Sequence, residues 1–171
     1  MSTLLLDDTR VQVHTMGHHI IPTEQINAHC CCFNMRKVNR AVTQFYDEYL
    51  DSTGIRITQY TLLVEIASSD SKTLSEIAAS LIMDRTTLTR NLKPLQKAGY
   101  IANTKTVDKR SKSYVLTDKG RKVVEDATPL WQEAQDKIIR AFGHHEYKAL
   151  CEELEKLLKV TSAHKNKPPK S

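Results

Sequence analysis

Apolar residues recur along most of this chain at spacings of three and four, the period of an amphipathic helix, and give way to strand-like runs at 100–105 and 113–117. Phe33, Val38, Ala41, Val42, Phe45, Tyr49 and Leu50 form one such stripe, which predicts a first helix over 26–50, closed by Asp51, Ser52, Thr53 and Gly54. Thr58 reads as the N-cap of a second helix that buries Leu62, Leu63, Ile66 and Ala67 and stops in the polar run 68–71. Thr73 opens a third, with Glu76 at capping-box spacing and Leu74, Ile77, Ala78 and Leu81 facing inward. After a short turn, Asp84 caps a helix over 85–98 whose inner stripe is Leu88, Leu92 and Leu95. Gly99 ends that helix where a left-handed residue is usual. Pro94 inside it removes a backbone donor and should bend its last turn.

The two strand-like runs flank the polar, basic link TVDKRSK, and two strands with a charged tip make a wing. Thr117 then caps a long helix over 119–142, with Val123, Val124, Ala127, Leu130, Trp131, Ala134, Ile138, Ala141 and Phe142 at helical spacing. Pro129 should kink it and Gly143 break it. A last helix over 145–160 carries Tyr147, Leu150, Leu154, Leu157 and Leu158, with Cys151 expected in its core face. Residues 1–25 read as a flexible arm, its His14, His18 and His19 solvated, and 161–171 as a disordered basic tail.

The fold class that follows is mainly α with a small β-wing. A winged helix-turn-helix occupies 58–118, and helices over 26–57 and 119–160 lie outside it. Those outer helices carry more apolar surface than the small unit can cover, and burial is worth about 25 cal/mol per Å2. A second copy of the chain is the economical cover, so the helices at the two ends are expected to form a dimerisation base.

Charge sharpens the picture. The net charge is +5 and the pI about 9.0. Between Asp84 and Ser113 stand eight cations, Arg85, Arg90, Lys93, Lys97, Lys105, Lys109, Arg110 and Lys112, against only Asp84 and Asp108. That local excess exceeds the excess of the whole chain, which points to a polyanion at the second half of the helix-turn-helix and the wing. The four cysteines, Cys30, Cys31, Cys32 and Cys151, do not form a spaced disulfide framework, which favours a reducing compartment. With no long apolar run and no basic leader at the N-terminus, the expected place is the cytoplasm, away from membranes.

The segment LSEIAASLIMDRTTLTRNLKPLQKAGYI followed by VDKRSKSYVLTDKG resembles the MarR family of bacterial transcription regulators. Asp108, Arg110, Leu116, Thr117 and Gly120 fit the family's wing signature. The resemblance implies a homodimer that binds a pseudo-palindromic double-stranded operator, most often as a repressor. Its recognition helix would present Arg85, Thr86, Thr87, Thr89, Arg90 and Lys93 to the major groove. Arg110 at the wing tip would enter a minor groove, with Asp108 structural, and Lys105, Lys109, Ser111 and Lys112 would meet phosphates.

The release signal is sought near Cys30, Cys31 and Cys32. Cys32-Phe33 resembles the reactive pair of the family's organic-hydroperoxide-sensing branch, and Tyr46 matches a tyrosine which in that branch lies near the oxidised sulfur. Arg36 and Ile57 stand where two further tyrosines of the branch would be. A metal or metalloid held by Cys30–Cys32 is a second reading, although three consecutive helical residues point about 100° apart and cannot all face one ion. Buried structural cysteines are a third. Without thiol chemistry the resemblance implies a small amphipathic effector, often an aromatic acid, with Arg36, Arg40, Tyr46, Tyr49 and Tyr60 as candidate lining groups. No cofactor is called for. The chain carries no G-x-S-x-G, no phosphate-cradling glycine loop and no H-E-x-x-H, so an enzyme is not expected. The remaining rival, a protein-binding winged helix without DNA function, is disfavoured by the basic wing.

Overall fold

The structure is a computed structural model and describes residues 27–69, 71–105 and 112–163. The expected arm, the tip of the wing and the tail beyond 163 lie outside the described residues. The chain divides into two compact units, Met1–Val38 and Asn39–Ser171.

In chain order the helices are α1 (Cys31–Leu50), α2 (Ile57–Ala67), α3 (Leu74–Ser80), α4 (Arg85–Lys97), α5 (Asp118–Phe142) and α6 (His144–Ala163). The strands are β1 (Lys72–Thr73), β2 (Ile101–Lys105) and β3 (Lys112–Leu116). They form one antiparallel sheet in the order β1-β3-β2. The hairpin pairs Ile101 with Leu116 and Lys105 with Lys112. The two-residue β1 was not expected from the sequence. It pairs Lys72 with Tyr114, and the Lys72 ammonium reaches Glu65 on α2. The Lys72 hydrogen bond holds the Glu65 carboxyl below its ordinary range, against a smaller opposing effect of burial.

Several boundaries differ from the expectation for identifiable reasons. Helix α1 starts at Cys31 rather than 26, because the helical run breaks step at Cys30. Arg56, not Thr58, is the N-cap of α2. Asp47 on α1 supplies the missing cap, accepting the Ile57 N–H at 2.7 Å and pairing with Arg56 at 3.2 Å, while Gln59 accepts the Arg56 N–H at 2.9 Å. Ala67 is exposed, and Tyr60 takes the buried place on α2 instead. Helix α5 runs unbroken through Pro129, and α6 continues to Ala163, three residues into the expected tail.

The core of the second unit gathers Leu50, Ile55, Leu63, Ile66, Ile77, Leu88, Leu92, Leu95, Ile101 and Ala127 from every side of the sheet and the short helices. A fully buried leucine contributes about 1.5–3 kcal/mol, so the three on α4 seat that helix firmly. The outer helices are different. Val42 on α1, Phe142 on α5, and Leu150, Leu154 and Leu158 on α6 remain exposed. The last three are spaced by four and share one face of α6. Cys151, expected in a core face, is exposed too.

Candidate nucleic-acid interface

The turn into α4 is tight and strained. Helix α3 ends with Met83 N–H on the Ala78 carbonyl at 2.9 Å and Ile82 N–H on the Ala79 carbonyl at 3.3 Å, a Schellman closure. The residue such a closure drives into the left-handed region is here Ile82, at φ 53°. A β-branched side chain is costly there. The same closure at the other end of α4 uses Gly99 at φ 75°, with Tyr100 N–H on the Leu95 carbonyl at 2.9 Å. There the backbone is relaxed because glycine has no Cβ.

Asp84 caps α4, its carboxylate accepting the Thr87 N–H at 2.8 Å. The Thr87 hydroxyl first, and then its N–H, hold the Asp84 carboxyl below its ordinary range, with Arg90 adding a smaller pull. The acid beside the reading face is therefore spent on the helix terminus. Glu76 does the same for α3, accepting the Thr73 N–H at 2.7 Å while Thr73 accepts the Glu76 N–H at 3.2 Å.

Leu88, Leu92 and Leu95 are fully buried, which fixes the rotation of α4. Arg85, Thr86, Arg90, Asn91 and Lys93 are left facing solvent. Thr87 and Thr89 are only half exposed. Thr89 turns its hydroxyl back onto the Arg85 carbonyl at 2.6 Å, so of the expected contact residues it is the least available. Lys105 and Lys112 are the last paired strand positions before the tip of the wing. Asp108, Lys109, Arg110 and Ser111 lie outside the described residues.

The base of α4 is tied to α5 by a joint that only the sequence's Leu-Thr-x-x-Gly hinted at. Thr117 donates its hydroxyl to the Gly99 carbonyl at 2.6 Å and its N–H to the Tyr100 carbonyl at 3.0 Å, and accepts the Gly120 N–H at 3.0 Å. Lys119 donates to the Ala98 carbonyl at 2.8 Å and lies 5.1 Å from the centre of the Tyr100 ring. A cation at the C-terminus of α4 complements the helix dipole. The joint ties the C-terminal end of α4 to the start of α5.

The expected sensing and pocket residues are placed less simply. Cys30 is half-buried and its Sγ accepts the Phe33 N–H at 3.4 Å, while Cys31 and Cys32 are exposed. Tyr46 is buried and donates to Gln135 on α5, whose amide donates in turn to the Tyr147 hydroxyl on α6 at 2.8 Å. Burial, with Tyr147 nearby, pushes the Tyr46 hydroxyl above its ordinary range, so it stays a donor. Tyr60 is buried as well, stacked on Trp131 and bonded to the Thr128 hydroxyl at 3.1 Å. Tyr49 packs on Phe45 beneath Lys137, and Arg36 and Arg40 are exposed. None of these five residues is among those lining two clefts of the described residues. One cleft, lined by Gln44, Asp47, Glu48, Asp51 and Arg56, is acidic. The other, between α2 and α4, was not anticipated and brings Arg56 and Arg90 together.

Comparison with known proteins gives a consistent answer. The family model described as MarR family matches residues 55–112. The HTH-type transcriptional regulator BilQ of Clostridium symbiosum is 30% identical over 123 residues, covering 71% of this chain and 85% of that protein. The regulator SarZ of Staphylococcus saprophyticus is 30% identical over 95 residues, 55% of this chain, and the chain spans just under two thirds, 65%, of its length. Among solved structures, the Mycobacterium tuberculosis regulator MosR in complex with DNA superposes with a TM-score of 0.72 at 33% identity, covering 78% of this chain and 97% of the other. A mutant MarR from Escherichia coli complexed with operator DNA gives a TM-score of 0.72 at 25% identity over 78% of this chain and 97% of its own.

Proposed function

The chain belongs to the MarR family of transcriptional regulators, a family of regulators and not of enzymes, and from that premise we propose that it reads double-stranded DNA as a homodimer and represses the genes beside its operator. The observation that carries this is the outward face of α4. Arg85, Thr86, Arg90 and Lys93 stand in solvent while Asp84, the acid that precedes the helix, is consumed as the cap. Arg85 and Arg90 would meet guanine edges and Thr86 a phosphate or thymine methyl.

The exposed apolar positions of α1, α5 and α6, Val42, Phe142, Leu150, Leu154 and Leu158, support the second copy. A two-fold pair sets two recognition helices about 34 Å apart, one turn of duplex. At the wing, Arg110 enters the minor groove, Asp108 steadies it, and Lys105, Lys109, Ser111 and Lys112 bind phosphates. Among the described residues no helix is long and apolar enough to cross a membrane, which accords with work in the cytoplasm. Selection from a random duplex pool tests the reading: it should return a pseudo-palindrome, and Arg110→Ala should weaken binding to it by about tenfold or more. A pool that never enriches would refute DNA reading, and unchanged affinity would refute the role of Arg110.

Release is assigned to the thiols at the start of α1, because Cys31 and Cys32 are exposed to a reagent. Alkylation with N-ethylmaleimide should free the operator from the native protein and leave a variant with serine at all three positions bound. If both stay bound, release through these thiols is refuted.

A further inference from the structure

The cleft between α2 and α4 has no part in the interface as the sequence defined it. It encloses about 430 Å3. Arg56, Thr58 and Gln59 line it from the start of α2, Arg90 and Asn91 from α4, and buried Leu62 lies between. No carboxylate is among its lining residues.

We propose that this cleft holds a backbone phosphate of the bound duplex, on the strand that flanks α4, and that Arg56, Thr58 and Gln59 are DNA contacts in addition to those of the recognition helix and wing. The proposal rests on the reading of α4 as the groove-binding helix. A helix with its side chains is about 10–12 Å across and the major groove about 12 Å wide, so a helix lying in the groove has a sugar-phosphate strand along each flank. Arg90 belongs at once to the outward face of α4 and to this cleft, so the cleft continues the reading face toward one of those strands.

The donors suit a phosphodiester. Arg56 gives one guanidinium nitrogen to Asp47 at 3.2 Å and keeps the rest of its five N–H groups free for an anion. Gln59, which lines the cleft, has its carbonyl oxygen fixed on the Arg56 N–H at 2.9 Å, which leaves its amide N–H groups to donate. The Thr58 side chain is exposed beside them. Pro94, exposed and lining the cleft, offers an apolar surface for a deoxyribose edge. Nothing in the cleft distinguishes one base from another, so it should supply affinity and register without specificity.

The full-length protein is titrated onto its selected duplex and onto a scrambled duplex across a range of salt. Thr58→Ala and Arg56→Gln are compared with the native chain, their folding checked by circular dichroism melts. Each should bind both duplexes several-fold more weakly, with the selected-to-scrambled ratio unchanged. For Arg56→Gln the slope of log affinity against log salt should fall by about 0.9, the value of one phosphate contact. A neutral methylphosphonate at the flanking position should weaken the native protein and leave Arg56→Gln unaffected. If the native protein binds, Arg90→Ala weakens it, and both cleft variants keep the native affinity and slope, the cleft is not a phosphate site although DNA reading stands. A changed selected-to-scrambled ratio would equally overturn the proposal, by making Arg56 a base reader. A native protein that binds no duplex would overturn DNA reading itself.

Discussion

Gly120 lies so close to the carbonyl of Tyr100 that a Cβ built on it would sit 1.9 Å from the oxygen. The obstacle is backbone, held by the Schellman closure of α4, and it cannot turn aside. Gly120→Ala should therefore push α5 off the end of the recognition helix, at a cost of about 1–3 kcal/mol for overpacking, and weaken DNA binding in step. Urea unfolding monitored by circular dichroism would show the loss; native stability in the variant would mean that the joint yields.

Ile82 makes the opposite case. It stands at φ 53° with its side chain half in solvent, so little packing holds it there. A left-handed L-residue costs about 1–2 kcal/mol, and glycine would relieve this while losing about 0.5–1 kcal/mol to its freer unfolded chain. Ile82→Gly should gain between nothing and about 1.5 kcal/mol by the same two terms. A lowered melting temperature would show that the Ile82 side chain makes a contact that outweighs its strain.

The caps predict an acid dependence. The folded protein holds the Asp84 carboxyl below its ordinary value. The ionised form is thus the one that the fold favours, and its contribution is present above the unfolded value, about 3.9. It is lost as pH falls through the lower, folded value. Asp84→Asn keeps a capping side chain but cannot titrate. Thermal melts from pH 7 to pH 2.5 should show the gap between native protein and variant closing in acid. Glu76, lowered for the same kind of reason, keeps both curves sloping. A gap that stays constant would mean that Asp84 carries no charge-dependent role.

The Tyr46–Gln135–Tyr147 chain ties α1, α5 and α6 together through two hydrogen bonds. Gln135→Leu strands the buried Tyr46 hydroxyl without an acceptor, at a cost of about 1–3 kcal/mol. Tyr46→Phe leaves only the half-buried Gln135 oxygen, which water can reach, and should cost less. Denaturant midpoints of the two variants decide it, and equal losses would argue that the tyrosine ring, not its hydroxyl, does the holding.

The helices were legible because the residues that start and stop them are local. Thr73 with Glu76, Asp84, Gly99 and Thr117 mark ends that the structure confirms. What escaped the sequence was non-local. Helix α2 is capped by Asp47 from another helix, and β1 exists only because β3 lies beside it. The face of α4 could be read from Leu88, Leu92 and Leu95, whose spacing fixes its rotation. The cleft beside that face could not: Arg56 and Arg90 are far apart in sequence and line one cleft only through the packing of α2 on α4. Tyr46 and Tyr60 are amphipathic residues whose hydroxyls have partners on α5, which their own positions do not announce.

The central claim is that α4 chooses the DNA sequence, and equilibrium binding of the native chain and Arg90→Ala to the selected duplex and a scrambled one tests it most directly. The native protein should prefer the selected duplex, and Arg90→Ala should lose about 1–3 kcal/mol on it, with a much smaller loss on the scrambled duplex, so that discrimination collapses. Equal weakening on both duplexes, or none on either, would contradict it.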